Sequence, residues 1–261
     1  MIAPLVEPGA ELTEAQRERF ARHISLAEIG EVGQRRLLNA RVLMVGAGGL
    51  GSTALTYLAA AGVGAIGIVD ADRVDLSNLQ RQIIHSTAAI GELKVDSAAR
   101  RLIELNPDLE VTTYPLRLTA ENVDEVLGGW DLVIDGTDNL PTRYLVSDAA
   151  VRLGMPEVFG SVLQWGAQIS VFWTGERAVA AGFPGPNGLS LRDVFPEEPP
   201  AGAVPKTADV GIMGSVPGMA GTLMASEAIK LITGAGDLLV GRILYVDTLG
   251  VKTAEIPFAP R

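Results

Sequence analysis

The chain has 261 residues, no cysteine and a formal net charge of −10. That length suits one large α/β unit with a sizeable core. The lack of cysteine excludes disulfides, thiolate-held zinc and any thiol nucleophile, and an acidic surface disfavours nucleic acid and anionic lipid as partners.

TEAQRERFA (13–21) opens with Thr13 as a helix N-cap and Gln16 at the capping-box position. RVLMVG (41–46) reads as a buried strand, LGSTALTYLAAAG (50–62) as the helix after it, and AIGIVD (65–70) as a second strand. GELKVDSAARRLIELNP (91–107) has helical periodicity and stops at Pro107. LEVTTYP (109–115) alternates like a strand, and TAENVDEVLG (119–128) reads as a helix with acidic residues in its first turn. DLVIDG (131–136) is another buried strand, followed by the helix PTRYLVSDAAVRLG (141–154) with Pro141 at its start. Strands alternating with helices predict a Rossmann-like, doubly wound, mostly parallel sheet.

The rhythm then changes. PEVFGSV and AQISVFW read as consecutive strands, and the proline-rich stretch 182–206 as a long surface loop. SVPGMAGTLMASEAIKLITG (215–234) returns to helix, and GRILYVDTLGVKTAEIPF (241–258) reads as a hairpin with Gly250 near its turn, giving a C-terminal antiparallel extension. There is no internal repeat and no sign of a second domain. No apolar run spans a membrane, since Gly62, Gly64 and Gly67 interrupt the richest one. The N-terminus MIAPLVEPGAELTE lacks the basic start and long apolar core of a signal peptide, so a cytoplasmic location is expected.

Gly46, Gly48 and Gly51 fit G-x-G-x-x-G between a strand and a helix, and Gly49 adds a fourth glycine. Such a turn lets phosphates approach the backbone at a helix N-terminus. Asp70 ends the next strand, at the spacing of an acid that binds ribose hydroxyls. The turn implies an adenine nucleotide without choosing between a redox dinucleotide and ATP. The residues after Asp70 favour ATP. In DADRVDLSNLQRQIIH (70–85), Asn78, Gln80, Arg81 and Gln82 crowd together, and Lys94 comes on the next helix. Arg81 and Lys94 are cations able to meet phosphates across from the glycines. DLVIDGTDN (131–139) puts Asp135 and Asp138 at a strand's carboxyl end, beside the nucleotide. Carboxylates near polyphosphate call for a cation such as Mg²⁺. Asp138, past the strand end, is the better ligand, while Asp135 serves equally well as a turn or helix cap.

Taken in order, the glycine turn, the D-x-D-x-V-x-x-S-N-L-x-R-Q run, the lysine and T-D-N resemble the ThiF/MoeB family of adenylating enzymes, bacterial relatives of ubiquitin-activating enzymes. RFARHI (19–24) resembles the family's R-Y-x-R-H/Q-I stretch, and the likeness runs from about residue 14 to 258. It implies an adenylyltransferase that binds MgATP and the C-terminal Gly-Gly tail of a small ubiquitin-like sulfur-carrier protein (MoaD or ThiS type). The carrier's carboxylate attacks the α-phosphate to give an acyl-adenylate and pyrophosphate, for molybdopterin, thiamin or other sulfur metabolism. By matched position Gly46, Gly48, Gly49, Gly51, Asp70, Asp72 and Asn78 would contact the nucleotide, Arg81 and Lys94 its phosphates, and Asp138 the Mg²⁺. Arg22 matches an arginine that reaches into a partner subunit's site, so a homodimer is implied, with Arg19 supporting that arm. The whole chain, 1–261, would then be a single adenylation domain: a helical arm (13–40), a nucleotide-binding core (41–155) and a carrier-binding part (156–258) whose crossover loop, 183–206, is mobile.

The departures are as informative. Many members carry two C-x-x-C pairs for zinc and a cysteine in the crossover loop. Here the first pair's position reads GFPGP (182–186), and Thr207 stands near the loop cysteine's place. Zinc and a thioester to this protein are therefore excluded, while adenylation needs no thiol. No rhodanese-like segment is present after residue 258, so the sulfur donor would be a separate protein. Three other readings compete: a related ATP enzyme acting on a peptide or tRNA, a redox NAD protein, and a scaffold without chemistry. Acidic composition opposes tRNA. The redox reading gives Arg81, Lys94 and Asp138 no joint role, and a scaffold predicts damage to the phosphate cations, which are intact.

Overall fold

The computed structural model describes residues 2–200, 202–205 and 207–261. Three short helices lead in: α1 (Glu14–Arg19), α2 (Ala21–Ile24) and α3 (Gly30–Asn39). The Thr13–Gln16 capping box is formed in both directions. Then come β1 (Arg41–Val45), α4 (Gly49–Ala61), β2 (Ala65–Val69), α5 (Lys94–Leu105), β3 (Glu110–Tyr114), α6 (Val123–Leu127), β4 (Leu132–Asp135), α7 (Leu140–Leu153) and β5 (Glu157–Leu163). The last part holds β6 (Gly166–Thr174), α8 (Glu176–Ala180), β7 (Gly188–Leu189), α9 (Leu191–Val194), α10 (Thr207–Val210), α11 (Ser215–Thr233), β8 (Arg242–Asp247) and β9 (Lys252–Pro257).

One sheet runs in the order β3-β2-β1-β4-β5-β6-β8-β9, with β7 paired to β6. The first five strands are parallel, and the strands after β5 join antiparallel. The Rossmann-like, doubly wound class with an antiparallel extension is what the alternating elements predicted. β1 explains why its sequence is apolar throughout. Val42 and Met44 face a core built with α4, α5 and α11, while Leu43 and Val45 face the other core, built with α6 and α7. α4 and α11 lie unusually close, because a Cβ on Gly221 would run into the Leu50 carbonyl and the Thr53 hydroxyl. β1 has β2 on one side and β4 on the other, so the chain winds outward in both directions from this point. Ligands of such sheets bind at the carboxyl ends beside that switch.

Three boundaries differ from the sequence reading. α5 starts at Lys94 rather than 91, because Gly91 has φ +89° and residues 91–93 pair antiparallel with Arg73 and Val74, Gly91 N–H donating to the Val74 carbonyl and Leu93 bridging Arg73. α6 starts at Val123 rather than 119, because Asn122 Oδ1 accepts from Thr119 N–H while its Nδ2 donates to the Arg117 carbonyl, holding 119–122 as a turn. The stretch 182–206 is no surface loop in its first half. Phe183, Leu189 and Leu191 are buried, β7 pairs with β6, and the Tyr144 hydroxyl bonds the Phe195 and Glu197 carbonyls. Phe183 meets Trp173 edge-on at 5.6 Å, so an aromatic contact anchors the segment where relatives were expected to bind zinc. Ala201 and Lys206, in its second half, lie outside the described residues.

Candidate active site

The carboxyl ends of β1, β2 and β4 open into a cleft of about 540 Å³, within the usual span of small-molecule sites. Its floor is the glycine turn. Gly46 has φ +96°, and a Cβ there would stand 2.9 Å from the Gly136 carbonyl oxygen, so two strand ends close on each other only through glycine. Gly48 caps α4 without any side-chain cap, which leaves the first N–H groups of the helix free toward the cleft. Gly49 backs onto Pro217 of α11. Gly51 stands behind the turn, where a Cβ would strike the Gly46 carbonyl. Its part is close packing of helix on strand rather than ligand contact.

Two polar side chains, half-buried Asp70 and buried His85, hold the turn in shape. Asp70 Oδ2 accepts from Ala47 N–H at 2.9 Å and Oδ1 from Asp72 N–H at 2.8 Å, and the residue still faces the cleft. His85 was not singled out by the sequence. Its Nε2 lies 3.0 Å from the Ala47 carbonyl and its Nδ1 3.0 Å from the Ser97 hydroxyl. Burial pushes its pKa below the ordinary histidine value, and Lys94 adds to the effect. The neutral ring therefore donates from Nε2 to Ala47 and accepts at Nδ1 from Ser97.

The cations converge as expected. Lys94 is the first residue of α5; its side chain is 8% exposed and its Nζ lies 3.3 Å from Asp72 Oδ2. Asp72 also pairs with Arg117, at 3.2 Å. Arg117 lines the cleft and escaped the sequence reading, because an arginine in a connection resembles a solvated one. Arg81 donates to the Ser77 carbonyl at 3.1 Å and, among the described residues, pairs with no carboxylate.

The two aspartates after β4 have separate roles. Asp135 is fully buried and accepts from Thr137 N–H (2.9 Å), Thr137 Oγ1 (2.6 Å) and Arg143 Nε (3.2 Å). Arg143 also donates to the Thr137 and Gly160 carbonyls and stacks over Phe159 at 4.9 Å. Asp135 is thus a structural acid, the alternative the sequence left open. Asp138 is exposed on the cleft wall and bonds to nothing among the described residues. Asn78 caps a 3-10 turn with Asp75, and its side chain does not line the cleft. Arg22 is exposed on α2, away from the cleft of its own chain.

The ThiF family profile matches residues 20–261. The chain belongs to the ThiF family. It is 48% identical over 255 residues to the probable adenylyltransferase/sulfurtransferase MoeZ of Mycobacterium tuberculosis, covering 98% of this chain and 63% of MoeZ. The chain therefore spans less than two thirds of that relative's length. It is 47% identical over 237 residues to the sulfur carrier protein adenylyltransferase of Thermus thermophilus, covering 91% of this chain and 85% of the relative. Among solved structures, PaaA superposes with a TM-score of 0.78 at 21% identity, over 96% of this chain and 76% of PaaA. Escherichia coli MccB with ATP gives 0.74 at 19%, over 97% and 74%. These two likenesses establish the fold.

Proposed function

We propose that this ThiF-family protein is an ATP-dependent adenylyltransferase that activates the C-terminal Gly-Gly carboxylate of a ubiquitin-like sulfur-carrier protein. The observation that carries the reading is the convergence of Arg81, Lys94 and Asp138 on one cleft with the uncapped N-terminus of α4. The names of the relatives from Thermus thermophilus (sulfur carrier protein adenylyltransferase) and Haloferax volcanii (SAMP-activating enzyme E1) point the same way. Two anions must meet in the reaction. A carboxylate oxygen forms a bond to the α-phosphorus while the bond from that phosphorus to the pyrophosphate oxygen breaks. No proton moves, because the attacking carboxylate is already ionised at neutral pH. The need is for fixed positive charge where negative charge develops, and for alignment. The α4 N–H groups, Arg81 and Lys94 supply the charge, and Asp70 holds the ribose. Asp72 stays with Lys94 and Arg117 and keeps both side chains at the cleft wall.

Asp138 fits Mg²⁺, a free carboxylate in a cleft that would bring phosphate oxygens as the other ligands. When bound, the ion would neutralise phosphate charge. Arg22, exposed and outside its own cleft, suits a homodimer in which it enters the partner's site. No described helix is long and apolar enough to cross a membrane, and we place the enzyme in the cytoplasm.

ATP–pyrophosphate exchange in the presence of a carrier ending in Gly-Gly tests the reading. Exchange should depend on the carrier and be abolished by Lys94→Ala and by Asp138→Ala with the fold intact. Exchange that survives both changes would refute the assignment. Binding of NAD without ATP would move the protein to redox chemistry.

A further inference from the structure

Arg143 does more than neutralise Asp135. Its Nη1 donates to the Ser161 hydroxyl oxygen at 3.2 Å. Arginine has no acceptor atom, so the serine oxygen can only accept in this contact. Its own O–H must then point elsewhere, and no acceptor meets it among the described residues. Ser161 is half-buried, lines the cleft and stands on β5 in register with Gln168 of β6. Phe159, two residues earlier on the same face of β5, carries the Arg143 guanidinium over its ring at 4.9 Å. The guanidinium is therefore fixed by Asp135, by the Thr137 and Gly160 carbonyls and by Phe159. It holds the hydroxyl oxygen in place, and its charge makes the O–H a stronger donor.

The place of Ser161 in the sheet says what the hydroxyl meets. In strand order, β2, β1 and β4 lead into Asp70, the glycine turn and Asp138, and β5 and β6 come next. ATP seated on the glycine turn with its ribose at Asp70 takes the side of β2 and β1, so its reaction partner comes in over β5 and β6. There Val162 and Leu163 wall the cleft, with Leu191 and Phe195 beyond. Those side chains suit an uncharged stretch of chain and give a carboxylate nothing to bond to. Ser161 supplies a donor at that spot. We propose that the Ser161 hydroxyl, held by Arg143, contacts the substrate and donates a hydrogen bond to one oxygen of the incoming carboxylate. The other oxygen is left free to bond to the α-phosphorus as the bond to pyrophosphate breaks, and the serine proton stays on its own oxygen throughout. The inference rests on the cleft taking ATP and a carrier's carboxylate, as proposed above.

ATP–pyrophosphate exchange by the full chain with a MoaD-type carrier ending in Gly-Gly tests it, beside calorimetric binding of MgATP without the carrier. Ser161→Ala removes the O–H alone, and the open cleft lets water take its place at Arg143. It should lower kcat/KM for the carrier by about ten- to a hundredfold, the loss of one hydrogen bond to a charged acceptor. MgATP affinity and melting temperature should stay at the wild-type values. Ser161→Thr keeps a hydroxyl on the same strand position and should retain most of the exchange. A serine that only supports Arg143 would behave differently: stability, MgATP affinity and exchange would fall together, and that result overturns the proposal. A loss in Ser161→Thr as deep as in Ser161→Ala would also overturn it. If the wild type shows carrier-dependent exchange and Ser161→Ala matches it, the Ser161 assignment falls and the proposed function stands. If the wild type shows no carrier-dependent exchange, the proposed function falls and takes this inference with it.

Discussion

Glu157 allows a quantitative test of how this site is supported. It opens β5, is 1% exposed, and pairs in register with Val133 and Phe172. Its Oε1 has no hydrogen-bond partner among the described residues. Burial first, and the charge of Asp135 second, push its pKa from 4.5 up to about 8, against smaller opposing effects of the Ser147 hydroxyl and the Arg143 guanidinium; Asp148 adds a further push upward. The folded value lies above the unfolded one, so between the two the native state holds a proton that the unfolded chain has lost. The stability this group contributes is whole below about pH 4.5 and is lost as the pH climbs through 8. At ~1.4 kcal/mol per unit the full span is about 5 kcal/mol. From pH 6 to pH 8 alone the expected loss is about 2 kcal/mol.

Glu157→Gln cannot ionise. Urea unfolding of both proteins at pH 6, 7 and 8 should show the wild type weakening relative to the variant by about 1 kcal/mol per unit. The comparison removes every other titrating group, since the two proteins share them. Parallel profiles would refute the reasoning, showing that the carboxyl is ionised at neutral pH or reached by water. The consequence extends to function. Glu157 ionised is a second anion near Arg143, the side chain that binds Asp135 and the Thr137 carbonyl just before Asp138.

Other expectations rest on the same contacts. Arg143→Met strands the buried Asp135 carboxylate and should cost about 3–5 kcal/mol in urea unfolding, and adding Asp135→Asn should recover part of it. Gly46→Ala forces a side chain onto φ +96° against the Gly136 carbonyl and should lower the melting temperature together with MgATP affinity. Gly48→Ala meets no atom nearer than 3.7 Å and should keep its melting temperature while losing MgATP affinity, because the new methyl stands where phosphate belongs. A wild-type melting temperature at Gly46→Ala would contradict the turn geometry. His85, whose folded pKa is depressed, contributes stability that is present above the unfolded value of 6.5 and is lost as pH falls through the lower folded one. Its ring protons in NMR should titrate below free histidine, and a midpoint at or above 6.5 would show that burial does not depress it.

Legibility in the sequence divides by the range of the cause. Gly46, Lys94 and Asp138 were legible because a strand's carboxyl end and a helix's first turn are local facts, set by apolar runs and the residues that end them. Phe183 and Leu189 were not, because the prolines around them suppress any period, and their burial depends on Trp173 and β6. Asp135 stayed ambiguous for the same reason. It is a structural acid because Arg143, one helix away, turns back onto it and onto the Thr137 and Gly160 carbonyls. Asp72 is the sharpest case. In the run D-x-D it reads as a second nucleotide ligand, yet its carboxylate sits 3.3 Å from Lys94 and 3.2 Å from Arg117. A carboxylate already shared by two cations has little to offer a ribose hydroxyl, and its removal should free Lys94 rather than unseat the sugar. Asp72→Asn would then alter the response to the triphosphate and spare the affinity for adenosine. If adenosine affinity fell instead, Asp72 would be a ligand, as its place in the motif suggested.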